Sequence, residues 1–218
     1  SGSKMLFSTY LGGSDNEEPQ SIIVDNAGNL LVLGRTYSTN FPTTATAYSK
    51  TLGGGADLIV TKFDSTGKLL ASTYVGSSGD DGVNISAIEN FRGSLKYNYA
   101  DDGRGDIIVD SKNNAYVASC TSSTNFPTTP GAYHTTAPSI QAGCAFEMDP
   151  NLSSLVWSTY LGGSSDDAAY NLALNSKGEV YVVGGTSSPN FPATAGVLHT
   201  SYGGNIDGFL THIASGGN

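Results

Sequence analysis

The sequence predicts an all-β protein made of three tandem units, each of four short antiparallel strands, and three observations carry that expectation. First, Ser8-Thr9-Tyr10-Leu11-Gly12-Gly13-Ser14 returns as Ser72-Thr73-Tyr74-Val75-Gly76-Ser77-Ser78 and as Ser158-Thr159-Tyr160-Leu161-Gly162-Gly163-Ser164. Second, Asn40-Phe41-Pro42-Thr43-Thr44 keeps step with it, returning as Asn125-Phe126-Pro127-Thr128-Thr129 and Asn190-Phe191-Pro192-Ala193-Thr194. Third, only 13% of the 218 residues are charged while 28 are glycine, a turn-rich composition of β type.

The interval between the two markers is 32 residues in the first and third units, Ser8 to Asn40 and Ser158 to Asn190, but 53 from Ser72 to Asn125. The second unit therefore carries 21 extra residues, an insertion at about 84–105. The repeats run over about 6–68, 69–153 and 154–218, and together form one domain. In repeat architectures a single unit cannot bury its apolar side alone, so neighbours must stack.

Each unit opens with a β-hairpin. Residues 21–25 form a β-branched run that stops at Asn26-Ala27-Gly28-Asn29 and resumes over 30–36. The equivalents are 106–110, a turn at 111–114 and 115–121, then 171–175, a turn at 176–178 and 179–186. Where the outer units place Gly28 and Gly178, the second has Asn113; these residue types adopt positive φ most readily, so one turn conformation is specified three times. A polar stretch with the Asn-Phe-Pro marker follows, and then a third strand over 57–64, 142–149 and 207–214. A tight turn such as Ser65-Thr66-Gly67 leads to the fourth strand, 69–76 in the first unit, which holds the Ser-Thr-Tyr marker.

The third unit shows no fourth strand of its own; residues 5–12 supply that pattern instead. Ser1-Gly2-Ser3-Lys4 and Ser215-Gly216-Gly217-Asn218 correspond to the same turn, so residues 1–3 read as native repeat sequence as readily as a cloning remnant. The expectation is a circularly permuted set of strands in which 5–12 pairs with 207–214, within one chain or between chains. Tandem four-stranded antiparallel units completed in this way describe a β-propeller.

The units resemble the bacterial SBBP family of β-propeller repeats. The residues that carry the likeness are Ser-Thr-Tyr-Leu-Gly-Gly, a following acidic pair, Ile-x-Val-Asp-x-x-Gly-Asn, Val-x-Gly-x-Thr and Asn-Phe-Pro-Thr, with the second unit departing through its insertion and Asn113. The resemblance implies an extracellular or cell-surface bacterial protein and transfers no catalytic residues. Propellers have four to eight blades, so three require completion. A homo-oligomer, simplest as a dimer of six blades, would complete the ring, as would neighbouring repeats of a longer chain; a trimer of nine or a closed ring of three fits less well.

The net charge of −9 and pI near 4.5 exclude nucleic acid and anionic membranes as natural partners, since both demand clustered Lys and Arg. No apolar run approaches the ~20 residues of a membrane span, so membrane insertion is not expected, and no signal peptide is legible. Cys120 and Cys144 fall on neighbouring strands, which places a cross-strand disulfide and a pair of buried thiols on equal footing.

The long connections lie on one side of the blades and the minimal turns on the other, so a ligand belongs on the long-loop side. There the loops between units carry Asp15, Glu17 and Glu18, then Asp80 and Asp81, then Asp166 and Asp167. Such oxygen-rich loops are calcium candidates at Asp80, Asp81, Asp166 and Asp167, although no Asp-x-Asp-x-Asp-Gly spacing is present. The plainer role for these aspartates is capping backbone amides in Gly-Ser turns. The insertion concentrates Phe91, Arg92, Lys96, Tyr97, Tyr99 and Arg104, aromatic faces with polar neighbours that suit a glycan or protein ligand, or that pack over an adjacent blade. Phe41, Phe126, Phe191 and Trp157 read as packing residues. Hydrolase and phosphate-loop motifs are absent, and no cofactor is implied. The expected function is a non-enzymatic adhesion or assembly module, with a carbohydrate-binding, lectin-like propeller as the alternative.

Overall fold

The computed structural model describes residues 2–84 and 103–217. No α-helix occurs among these residues, and the strands form three antiparallel sheets. The first contains β1 (Glu17–Val24), β2 (Leu30–Thr36), β3 (Asp57–Phe63) and β4 (Leu69–Val75), bonded in chain order. The second contains β5 (Asp106–Val109), β6 (Ala115–Thr121), β7 (Ala142–Met148) and β8 (Leu155–Leu161), also in chain order. The third has only β9 (Asp167–Leu174), β10 (Val180–Thr186) and β11 (Asp207–Ile213), with β10 in the middle. Each sheet is a meander and constitutes one blade.

The first strands of the blades lie side by side. Ser21 Oγ donates to Asp106 Oδ1 at 2.7 Å, and Asn171 Nδ2 donates to Asp106 Oδ2 at 2.7 Å. These three residues are equivalent in the repeat, so Asp106 of the second blade meets its counterparts in the first and third along the inner strands.

Two apolar clusters hold the blades face to face. Leu33, Val60 and Val75 of the first blade pack with Ile107, Val117 and Phe146 of the second. Ala118, Ala145 and Trp157 of the second pack with Leu172, Val182 and Phe209 of the third. β6 and β7, with blades on both sides, are buried along their whole length and lack the apolar–polar alternation of a half-exposed strand; β3 is buried throughout as well, with Leu11 packed in a cluster with Ile59 and Tyr74 on its outward side. Burying one such Val, Leu or Phe stabilises the fold by ~1.5–3 kcal/mol, so stacking is the dominant attraction between units.

Three expectations need correction, and one open alternative is decided. Residues 5–12 do not form a strand, and among the described residues β11 has no partner on its outer side, so the third blade has three strands instead of four. The cause lies in the open arrangement. Residues 5–12 lie against the first blade, where a Cβ on Gly67 would come within 2.8 Å of the Phe7 ring; the equivalent contact is Gly217 against Trp157, at 2.7 Å. The segment thus sits against the blade that follows it, as β8 does, but has no sheet to join.

The second correction concerns strand starts. β1 and β9 begin at Glu17 and Asp167, not at 21 and 171, and each passes through a register shift: Pro19 opposes Gly34 while Ser21 opposes Leu33, and Ala169 opposes Gly184 while Asn171 opposes Val183. A bulge of this kind breaks the alternating pattern by which a strand is read. Third, Glu17, Glu18 and Asp167 consequently belong to strands and not to loops. Of the two alternatives for Cys120 and Cys144, the structure has buried thiols with no disulfide between them. Ser119 opposes Cys144 and Cys120 opposes Gly143, so the two thiols project from opposite faces of the sheet.

Candidate functional site

The long-loop side is built on a polar network repeated in each blade. It begins with the threonine that ends the second strand, Thr36, Thr121 or Thr186. Each stands opposite an acidic residue, in the pairs Glu17 with Thr36, Asp81 with Thr121, and Asp167 with Thr186. Thr36 donates to Glu17 Oε1 at 2.8 Å, and Thr121 donates to Asp81 Oδ1. The same threonine oxygen accepts from the backbone of the serine two residues on, at 3.0 Å for Ser38, Ser123 and Ser188 alike. The serine hydroxyls return to the carboxylates, Ser123 to Asp81 Oδ2 at 2.9 Å and Ser188 to Asp167 Oδ2 at 2.8 Å. The marker asparagines clamp the exit of the preceding segment: Asn40 Oδ1 accepts from Ser14 N at 2.9 Å, and Asn190 Oδ1 from Ser164 N at 2.8 Å.

The marker tyrosine fastens the other end. Tyr74 Oη donates to Ser38 O and accepts from Phe41 N, at 2.8 and 2.9 Å. Tyr160 makes the same bonds with Ser123 O and Phe126 N, both at 2.8 Å. Phe41 and Phe126 are buried beside these tyrosines with ring centroids 6.0 Å apart in each case, whereas Phe191 is half-buried and stacks on Phe209.

This arrangement places the four calcium candidates. Asp81 and Asp167 are buried, and their oxygens receive hydroxyl and amide hydrogens, including Ser77 N at 2.7 Å and Gly163 N at 2.8 Å. Asp80 and Asp166 act through their carbonyls, which accept from Ser122 N and Ser187 N at 2.9 Å. Among the described residues no three His, Cys, Asp or Glu side chains converge as a cation site.

A carboxylate pair that the sequence reading missed lies beneath this network. Burial pushes Asp57 up to about 7, with Asp81 nearby adding to the shift and the Gly53 and Gly54 amides opposing it. Burial likewise pushes Asp81 up to about 6, against the hydrogen bonds from Thr121, Ser77 and Ser123. Both reach the space over Gly76, where a Cβ would come within 2.5 Å of Asp57 Oδ1 and 2.6 Å of Asp81 Oδ2. The second blade has Ala142 where the first has Asp57, so the pair is not a repeat feature.

The insertion departs at the bulge position, since Asn84 is equivalent to Gln20 and Tyr170. Buried side chains hold its roots. Arg35 bonds Glu18 at 2.5 Å and the Gly82 carbonyl at 3.2 Å, Gln20 Nε2 donates to the same carbonyl at 3.0 Å, and Gln141 Nε2 donates to Asn84 Oδ1 at 2.8 Å. Arg104 lies over the Tyr170 ring, 5.3 Å from its centroid. Phe91, Arg92, Lys96, Tyr97 and Tyr99 lie outside the described residues, so Arg104 alone of the six insertion candidates is placed. Arg35 was legible as an oddity, a lone arginine where the other units have Cys120 and Gly185.

Among the described residues, clefts lie between neighbouring blades. One of about 290 Å³ opens on the long-loop side between the second and third blades, lined by Tyr133, His134, Pro138, Asn190 and Pro192. The rings of Tyr133 and His134 stack in it, with centroids 4.4 Å apart. The larger, about 490 Å³, lies between the first and second blades among Asn29, Lys62, Leu70, Pro150 and Ser153, toward the short turns. Lys62 there forms a buried ion pair with Asp25 at 2.7 Å.

The family model described as the beta-propeller repeat, SBBP, matches residues 6–42 and 156–192. Each match starts in a fourth-strand position, crosses the loop with the acidic residues and ends at Asn-Phe-Pro, so it spans the whole polar network of the first or third blade. No curated protein matches the chain.

Proposed function

Because the chain carries β-propeller repeats of the SBBP family, we propose that it is a non-enzymatic module of a secreted or cell-surface bacterial protein, serving adhesion and assembly. The observation that carries this reading is the pair of outward apolar faces. Val183 and Leu210 of the third blade, and Ile22 and Val24 of the first, are exposed. Their counterparts inside the molecule form the blade interfaces. The carboxylates and hydroxyls of the long-loop side, by contrast, are engaged in holding the loops. The net charge of −9 supports a soluble, cation-attracting surface.

A second reading, carbohydrate binding on the long-loop side, is favoured by the cleft with the stacked Tyr133 and His134. Polar groups around an exposed aromatic face suit a sugar ring. A glycan array and a panel of hydrolase substrates, applied to the purified chain, decide between these readings. The adhesion and assembly reading expects no turnover and no selective glycan signal. Glycan binding lost on Tyr97→Ala, Tyr99→Ala or Tyr133→Ala would establish the second, and catalytic turnover would overturn both. Protease treatment of intact cells tests location: release of peptides from this chain is expected, and their complete protection would contradict exposure.

A further inference from the structure

We propose that residues 5–12 of one copy of the chain add to the outer edge of β11 in a second copy, and that two such contacts close a six-bladed ring. This rests on the assembly reading above and specifies its partner. The two internal blades supply a template for the contact. Tyr74 and Tyr160 are 0% and 1% exposed, whereas the equivalent Tyr10 is fully exposed at 104%. Around each buried tyrosine the same bonds recur. Thr44 N donates to Ser72 O and Thr129 N to Ser158 O, both at 3.1 Å; Ser49 N donates to Thr73 Oγ1 and His134 N to Thr159 Oγ1, both at 2.9 Å.

The third blade holds the receiving half of this pattern in Ser188, Phe191, Thr194 and His199. Among the described residues Thr194 and His199 make no counterpart bond, and no tyrosine hydroxyl bridges Ser188 and Phe191. The donating half is already shaped in residues 5–12: Thr9 Oγ1 donates to Tyr10 O at 2.9 Å, as Thr73 does to Tyr74 O at 2.9 Å and Thr159 to Tyr160 O at 3.1 Å.

The apolar surfaces agree with the polar ones. Val183 and Leu210, on the outward face of the third blade, are 42% and 69% exposed, while their equivalents Leu33, Val60, Ala118 and Ala145 are wholly buried. On the outward face of the first blade Ile22 is 64% exposed, while its equivalents Ile107 and Leu172 are buried. Each exposed face therefore matches one side of an interface that the chain builds twice internally. In this structure Val183 and Leu210 on one side and Ile22 and Val24 on the other are exposed at once, whereas Ile59, Phe63 and Tyr74 on the first blade's outward face are already buried, with Leu11 packed against the cluster of Phe41, Ile59 and Tyr74. A second copy offers both complements, and two identical end-to-end contacts leave neither face uncovered. Six blades lie within the range in which propellers close.

The template also sets the register. Cys144 opposes Tyr160 and Ile59 opposes Tyr74, so Phe209 of one copy opposes Tyr10 of the other, with Leu210 opposite Thr9.

Mass photometry and sedimentation on the intact chain, with Tyr10→Ala and Leu210→Glu as variants, test the contact. Both positions are exposed in the single chain, so circular dichroism of each variant should match that of the parent. A mass of two chains is expected, with dimerisation weakened roughly tenfold or more in either variant, the effect of removing a buried anchor from an interface. Mixing Thr9→Cys chains with Leu210→Cys chains should give an oxidised heterodimer, and Thr9→Cys alone should give none. An intact chain that stays monomeric, a dimer indifferent to both variants, or a cross-link within a single Thr9→Cys/Leu210→Cys chain would overturn the proposal. Those outcomes would leave the glycan-array and turnover results, and the reading that rests on them, untouched.

Discussion

Asp57 and Asp81 converge over Gly76, and Asp57 Oδ1 has no hydrogen-bond partner there, so ionising both acids is costly. With folded values up to about 7 and about 6 against an ordinary 3.8, the folded chain binds more protons than the unfolded one between those limits. Stability therefore falls as pH rises through that window and levels off above it. Asp25 acts in the opposite sense. Burial alone would raise it, but Lys62 and Asn29 bring it down to about 2, so its contribution is lost as pH falls below ~4. The melting temperature is thus expected to peak near pH ~4–5. Asp57→Asn should flatten the decline toward pH ~8 while leaving pH ~5 nearly unchanged; an identical pH profile would show that Asp57 does not carry it. Removing the cation by Lys62→Ala strands a buried carboxylate, and urea unfolding should show a loss of ~3–5 kcal/mol. A loss under ~1 kcal/mol would mean that the pair behaves as an exposed one.

At the scale of elements, the hairpin turns between the first two strands test the repeat logic. Gly28, Asn113 and Gly178 have φ of 83°, 67° and 76°, so the asparagine does the work of the glycines. Asn113→Gly should change stability by less than ~0.5 kcal/mol, whereas Gly28→Ala should cost ~1–2 kcal/mol, because a Cβ there meets open space and only the backbone is penalised. Equal costs for the two, measured by denaturant, would contradict a shared conformation. This turn was legible because the permissive residues recur at one position. The turn at Leu152 was not: a buried leucine with φ of 54° stands where the other units have Gly67 and Gly217, and its packing in the interface offsets the strain that composition would forbid. The strands β2, β3, β6 and β7 were readable from apolar runs between turn residues. The starts of β1 and β9 were hidden by their bulges. Residues 5–12 have the sequence of a strand, but a strand needs a bonded neighbour, and periodicity does not say what supplies it. For the site, Tyr74, Asn40 and Asp81 were visible as repeated residues. Their roles were not, since Tyr74 bonds Ser38 and Asp81 bonds Thr121, partners that only folding brings together.

At the scale of the whole molecule, Val183 and Leu210 on the third blade and Ile22 and Val24 on the first are apolar side chains left in water. Such an arrangement gains stability from any partner that covers them, and a partner that is a second copy makes the melting temperature rise with protein concentration. Acidic repulsion at net charge −9 opposes association, so added salt should strengthen it. The most direct measurement is amide hydrogen exchange along β11 over a series of protein concentrations, with β3 and β7, its paired equivalents, as internal references. An open third blade completed by a second copy predicts fast exchange on the outer edge of β11 in dilute solution. Protection should then grow toward that of β3 and β7 as concentration rises, in step with protection of residues 6–12. Exchange along β11 that is independent of concentration, with residues 6–12 unprotected throughout, would contradict it.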